Sequence, residues 1–367
     1  MGEFSPLESE IRRRIAAAGP MPVSEYMALC LFDPQHGYYT TRDPFGARGD
    51  FITAPEVSQM FGELIGLWAA AVWKQMGAPE NVRLIELGPG RGTMMKDLLR
   101  AVHIMPEFRL AIVVHLVEVS PLLRAQQENT LQNTGVPVFW HTALADVPKG
   151  PSIIFANEFF DALPIKQAVK TERGWHERRI HIDDGGRFAF TIGPEPIPFF
   201  QTLLPPQFNS ARAGAIFEWR GDTEAMDVGR RVTDDRGAAL VIDYGHTETG
   251  LGETFQAVGQ HAYADPLTVP GELDLTAHVD FRAVTRAIEA MGARGFGPIE
   301  QSQFLRRLGI EQRAATLKAK ASRADSVTEI DHALMRLIGH SRTAMGELFK
   351  VAAFTHPSLG TPPGFES

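Results

Sequence analysis

The sequence predicts an α/β fold built on a mostly parallel sheet. Two observations carry that expectation. Short apolar, β-branched runs alternate with helical stretches from Val82 onward, and the first run, VRLIEL, empties into the glycine turn Gly88-Pro89-Gly90-Arg91-Gly92 before a helix that starts at Thr93. Strands at Val82, at Leu110 to Val119, at Pro137 to Trp140 and from Ser152, with helices between them, imply right-handed crossovers. Ligands on such sheets bind at the carboxyl ends of the strands.

The turn itself narrows the ligand. A dinucleotide fingerprint reads G-x-G-x-x-G, and here Gly92 comes one residue early, with Thr93 where that pattern needs glycine. The order is instead Glu86-x-Gly88-x-Gly90-x-Gly92. A carboxylate beside a pyrophosphate repels it, whereas a sulfonium ligand with an aminoacyl ammonium brings positive charge. S-adenosyl-L-methionine therefore fits better than a dinucleotide. Glu118, at the end of the next apolar strand, is placed to accept two hydrogen bonds from a ribose diol. The plain alternative is a structural glycine turn with two solvated glutamates.

Composition bounds the class. The chain has 367 residues, 44% hydrophobic and 22% charged, enough for one large core with an insertion or for two domains. A net charge of -8 argues against a general grip on nucleic acid, which needs a clustered basic surface. The single cysteine, Cys30, excludes an intrachain disulfide and a multi-thiolate metal site, and the twelve histidines form no HExxH pattern, so no metal is expected. No run of eighteen apolar residues exists, and the acids among the first ten residues fit neither a secretory signal nor a transit peptide. The expectation is a cytoplasmic protein with no membrane insertion.

In order along the chain, residues 1–55 are read as a helical cap and an active-site loop. Ser5 to Leu31 form two helical pieces around Pro20 and Pro22, with Ser24 as the expected N-cap of the second. The following loop concentrates Asp33, His36, Tyr38, Tyr39, Asp43, Asp50, Thr53 and Glu56, and a loop of that length is usually functional. A long amphipathic helix from Glu56 to Met76 leads into the core, which is expected over 56–165 and 238–367. Past the fourth core strand, Asn157, Glu158 and Asp161 fall where chemistry is expected. The Asn carbonyl oxygen can hold a nucleophilic nitrogen and a carboxylate can orient a cation, although Asn157 capping a helix is the simpler reading. Residues 166–237 are expected to be an inserted β-rich region of antiparallel hairpins, from the alternation in QAVK, WHERRIHID and RFAFTIG. The stretch from Gly259 to Phe281 reads as a long loop, with His261, Asp274, Thr276, His278 and Asp280 as its polar residues. The remainder reads as mainly helical, with a last antiparallel edge strand in GELFKVAAFTH.

These motifs, in this order, resemble the MidA-like S-adenosylmethionine-dependent methyltransferases, which include the mitochondrial complex I assembly factor that is a protein arginine methyltransferase. The residues that carry the resemblance are GYYTTRDPFGARGDFITAPEVSQMFGELIG, IELGPGRGTMMKDLLR, EVSPLLRAQQ, ANEFFDALPI, VIDYG and DLTAHVDF. It implies a class I, Rossmann-like methyltransferase fold with an N-terminal helical cap and an inserted β-hairpin and helical substrate region. It also implies a protein substrate, a subunit of respiratory complex I (NADH dehydrogenase), with symmetric dimethylation of an arginine. The location it implies is cytoplasmic in bacteria and mitochondrial in eukaryotic members. By motif, Glu86, Gly88, Pro89, Gly90 and Gly92 form the cofactor turn, Glu118 meets the ribose, and the loop Gly49 to Pro55 borders the cofactor through Thr53 and Pro55. Asn157, Glu158 and Asp161 lie beside the transferred methyl, with Glu56 or Asp50 as partners. A small-molecule N- or O-methyltransferase, or a non-catalytic assembly factor that binds S-adenosylmethionine, would share the cofactor motifs.

Overall fold

The structure, a computed structural model, describes residues 4–42, 53–259, 262–341 and 343–366. The expectations placed on Asp43, on Asp50 and the rest of 49–52, and on His261 lie outside the described residues. The chain forms two compact units, one from Met1–Pro44, Asp161–Gly221 and Glu248–His278, the other from Phe45–Phe160, Asp222–Thr247 and Val279–Ser367.

In the first unit, Met21–Pro22 pairs antiparallel with Gly174–Ile182, which pairs in turn with Ile165–Thr171 and with Phe188–Pro196; Ile216–Arg220 lies on the far side of Ile165–Thr171. The hairpins are those that the alternating pattern predicts. The helices Pro6–Ala18 and Val23–Phe32 bury Leu7, Ile11, Tyr26 and Met27 in one core with Ile180 and Ala257. The second helix starts directly behind Pro22, whose ring pre-sets the backbone, so Ser24 is an internal residue and not the cap. The stretch read as a long loop instead carries two strands, Ala262–Ala264 and Asp274–Thr276, which pair on either side of Gln256–Gly259, the strand that ends where the stretch begins. These strands are three or four residues long and too short to show a period. Arg220 fixes the crossing point of the segments by donating to the carbonyls of Asp161, Leu163, Ala277 and His278.

The second unit is built on β1 (Val82–Leu87), β2 (Ile112–Val117), β3 (Val138–His141), β4 (Ser152–Asn157), β5 (Ala238–His246), β6 (Arg294–Glu300) and β7 (Phe349–Thr355). Their spatial order is β3-β2-β1-β4-β5-β7-β6, with Val279–Asp280 added in parallel to the end of β5. Strands β1 to β5 pair in parallel and β7 is antiparallel to both neighbours. The expected antiparallel last strand is present, but β6 lies outside it and is the true edge. Gly297 and Pro298 interrupt β6 at a register shift between Phe296 and Ile299, which removes the alternation that would have revealed it.

The helices around this sheet set the site. The expected long helix from Glu56 is two, α1 (Ala54–Val57) and α2 (Gln59–Gln75), divided at Ser58, whose side chain accepts from the Met60 amide as an N-cap. Met60, Phe61, Leu64, Ile65 and Trp68 are buried as the pattern predicts, whereas Leu67 faces outward. Helix α3 (Thr93–Ala101) crosses α2 closely. A Cβ at Gly62 would lie 2.7 Å from Asp97 Cβ, and one at Gly66 2.9 Å from the Leu98 carbonyl oxygen. Helix α4 is Pro121–Leu131.

The helix Thr223–Asp234 belongs with the second unit, where it packs against Phe281–Glu289, while the N-terminal helices and 248–278 belong with the hairpins. Within the first unit Met21 pairs with Ile180, and Glu218 accepts from the amide and the hydroxyl of Thr254, contacts that carry no local sequence signal.

Candidate active site

From β1 the chain goes to β2 and β3 on one side and then crosses to β4 on the other, so the carboxyl end of β1 is the switch point of the parallel sheet. Glu86 lies at that end and is 3% exposed. Beyond it, Gly88, Gly90 and Gly92 adopt φ of +59°, +54° and +79°, a conformation that side chains disfavour, alternating with Pro89 and Arg91. The Gly88 amide extends the β1–β2 ladder to the Val117 carbonyl at 3.0 Å, and the Gly92 amide closes the turn on the Pro89 carbonyl at 2.8 Å. Helix α3 then starts at Thr93.

A cavity opens on this turn, lined among the described residues by Thr53, Pro55, Glu56, Glu86, Gly88, Pro89, Gly90, Arg91, Thr93, Met94, Asn157 and Glu158. Eight of the eleven residues expected at the site are therefore gathered around it. Burial lifts the Glu86 carboxyl to about 8, and among the described residues its Oε2 has no hydrogen-bond partner. The Asn157 Oδ1 atom is likewise buried with no partner among them, while its Nδ2 donates to Glu158 at 3.3 Å. Glu158 sits at φ +50°, uncommon outside glycine, and its carboxylate also accepts the Ala54 amide at 3.3 Å. That bond and the one from Thr93 Oγ1 to Glu56, 2.5 Å long, tie helix α1 to both sides of the cavity. Arg91 approaches the second Glu56 oxygen at 4.0 Å.

Three expected residues stand apart from the lining. Gly92 closes the turn from behind. Glu118 follows β2, accepts the Ser120 amide at 2.8 Å and the Gln127 side-chain amide at 3.1 Å, and is raised by burial, which those two donors oppose. Asp161 opens the next segment of the first unit, where it is buried and its carbonyl accepts from Arg220 and from the Ala277 amide.

Two positions escaped the sequence reading. Asp243, fully buried at the end of β5, accepts the Phe160 amide on Oδ2 and so holds the turn after Glu158. Gln127 contacts both Glu118 and the glycine turn. Its signal was a lone amide in the buried stripe Leu123, Gln127, Leu131 of α4, one every fourth residue.

The model of the family described as a putative S-adenosyl-L-methionine-dependent methyltransferase matches residues 64–299. The protein arginine methyltransferase NDUFAF7 homolog, mitochondrial, of Drosophila melanogaster is 38% identical over 346 residues, which is 86% of this chain and 77% of that protein. The mitochondrial protein arginine methyltransferase NDUFAF7 of Homo sapiens is 37% identical, covering 87% and 76%. A crystal structure of a likely methyl transferase from Burkholderia thailandensis bound to S-adenosyl-homocysteine superposes with a TM-score of 0.85 at 31% identity, covering 98% of this chain and 93% of that one.

The residues present fit such a cofactor on two counts. The buried Glu86 oxygen, without a partner among the described residues, calls for a cation or a donor, and the left-handed glycines keep side chains out of the space in front of it. The class I fold and the cofactor expected from the sequence are thus borne out, and the chain belongs to this family of S-adenosyl-L-methionine-dependent methyltransferases.

Proposed function

We propose that the chain methylates a guanidinium nitrogen of an arginine in a protein substrate. The observation that carries this reading is the pair Asn157 and Glu158 at the end of β4, one offering a buried carbonyl oxygen that has no partner among the described residues and the other a carboxylate held in a strained backbone. Relatives at 37–38% identity that are named protein arginine methyltransferases support it.

A guanidinium is protonated at any ordinary pH, so the acceptor arrives as a cation whose nitrogens are poor nucleophiles. Bound S-adenosyl-L-methionine supplies a methyl on a sulfonium; as its carbon–sulfur bond breaks, the electron pair stays on sulfur. The Glu158 carboxylate holds the guanidinium and draws its positive charge toward the nitrogens that are not alkylated. The Asn157 carbonyl oxygen accepts an N–H of the reacting nitrogen and sets its direction. Asp161 is the second carboxylate of this reading, and Glu56 stays with Thr93 and Arg91. Such alignment lowers a barrier by roughly 7–11 kcal/mol in well-positioned intramolecular cases. The proton released by the product nitrogen passes to water.

At the cofactor, Glu86 faces the cationic end, Glu118 takes the ribose hydroxyls, Gly88 to Gly92 provide the cradle, and Thr53 and Pro55 close the rim. The finer proposal is symmetric dimethylation of an arginine in a subunit of respiratory complex I. In a bacterial cell the proposed location is the cytoplasm; the relatives are named mitochondrial. No helix among the described residues is long and apolar enough to cross a membrane.

The test is methyl transfer from labelled S-adenosyl-L-methionine into a lysate of a strain lacking the protein, resolved on a gel and followed by mass spectrometry. A labelled band containing dimethylarginine is expected. An unlabelled proteome, with cofactor binding intact by calorimetry, would overturn the protein substrate and point to a small-molecule acceptor or a non-catalytic assembly factor.

A further inference from the structure

Gln127 is fully buried in α4, and its side-chain amide joins three separate elements. Its Nε2 donates to the Gly90 carbonyl at 2.7 Å and to Glu118 Oε2 at 3.1 Å, and its Oε1 accepts from Trp140 Nε1 at 2.9 Å. The orientation of the amide follows from chemistry. An indole N–H only donates, so it must meet the oxygen, and that turns the NH2 group toward two acceptors, a carbonyl and a carboxylate. Packing adds to this, since a Cβ built at Gly92 would lie 3.6 Å from the Gln127 Cγ.

The consequence falls on Glu118. One of its oxygens is held by the Ser120 amide and the other by Gln127, so the plane of the carboxylate is fixed. Each oxygen keeps one further lone-pair direction, a pair that suits two neighbouring hydroxyls. Without Gln127, Glu118 would lose its side-chain anchor and could turn about its terminal bond, and the Gly90 carbonyl in the cofactor turn would lose its donor.

We infer that Gln127 is a positioning residue for the cofactor, which locks Glu118 and the Gly90 turn into one geometry that reads the ribose. This rests on Glu118 as the ribose acid. Glutamate at this position would set an acceptor against two acceptors, and methionine would keep the volume while deleting every hydrogen bond.

The experiment is calorimetric titration of the full chain with S-adenosyl-homocysteine and with its 2′,3′-dideoxy analogue. Gln127→Met is expected to weaken S-adenosyl-homocysteine about ten- to a hundredfold and the dideoxy analogue less than about threefold, because the lost bond acts through a charged group that only the hydroxyls engage. Trp140→Phe, which leaves the packing nearly intact and removes the donor that orients the amide, is expected to give the same selective loss at about three- to tenfold. It carries the test if Gln127→Met fails to fold. Equal losses for the two ligands, or none, would overturn the inference and reduce Gln127 to a structural tie. A wild-type chain that binds both ligands equally would instead overturn the ribose role of Glu118 on which the inference rests. A wild-type chain that binds neither would overturn the cofactor site itself.

Discussion

Asp243 Oδ2 accepts the backbone amide of Phe160 at 3.0 Å, while its Oδ1 accepts the amide of Tyr244 at 2.9 Å. The carboxylate thereby bridges the ends of β4 and β5 immediately after Glu158, whose own amide donates to Ile242 of β5 at 2.9 Å. The strained backbone at Glu158 is held from both sides by the neighbouring strand. Asp243→Asn turns an amide NH2 toward a backbone N–H and leaves one of the two donors unmet. A loss of about 1–3 kcal/mol in stability is expected. Turnover should fall by more than cofactor affinity does, since the turn after β4 carries the proposed acceptor residues. Chemical denaturation alongside steady-state kinetics checks both; a variant with normal turnover would show that the Phe160 tie does not shape the site.

Gly90 has φ +54° and lines the cavity, so a β-branched side chain there meets both a forbidden backbone region and the space in front of Glu86. Gly90→Val is expected to abolish binding of S-adenosyl-homocysteine in calorimetry. Micromolar affinity retained in a folded variant would contradict the assignment of this turn to the cofactor.

Glu86 gives the chain a pH signature. Burial raises its carboxyl from 4.5 to about 8 in the cofactor-free fold, so between those values the folded chain holds a proton that the unfolded chain has released. Fewer protons on the unfolded state means that stability falls as pH rises; the contribution is complete below about 4.5 and is lost by about 8. A ligand whose ammonium favours the ionised carboxylate runs the other way. Its affinity should increase with pH up to about 8 and then level off. Glu86→Gln is expected to flatten both curves, measured by thermal melts and by titration at several pH values. Slopes unchanged in that variant would remove Glu86 as their source.

His115 acts on the acid side. Its Nδ1 lies 2.9 Å from His141 Nε2, and burial, with the neighbouring His141 adding to it, lowers its pKa from 6.5 to about 4. The folded chain therefore resists protonation that the unfolded chain accepts, and stability should drop as pH falls from about 6.5 to about 4. His115→Gln should reduce this acid-side slope in thermal melts, and a slope equal to that of the unaltered chain would place its origin elsewhere.

The legible parts of the molecule were those with local signals. VRLIEL and the glycine turn gave strand, turn and helix together, because apolar burial and left-handed glycines both write themselves into consecutive residues. The same logic located Asn157 and Glu158, at the point where the apolar run SIIFA stops. What was not legible depends on pairing at a distance. Strand β6 is masked by Gly297 and Pro298, the three short strands between Gln256 and Thr276 have no room for a period, and Met21 meets Ile180 without any trace in either segment. Gln127 was hidden for a different reason. A buried amide in an apolar stripe signals that partners exist, and only the fold identifies them as Glu118, Gly90 and Trp140.

The central claim is that the β1 turn binds S-adenosyl-L-methionine while the end of β4 acts on the methyl acceptor, and Glu158→Gln separates the two most directly. The substitution keeps the shape of the side chain and removes its charge. The measurement pairs calorimetric binding of S-adenosyl-homocysteine with transfer of labelled methyl to the protein substrate. The expected result is affinity within about threefold of the unaltered chain and transfer reduced by about a hundredfold or more. Unchanged transfer would remove Glu158 from the reaction and contradict the account.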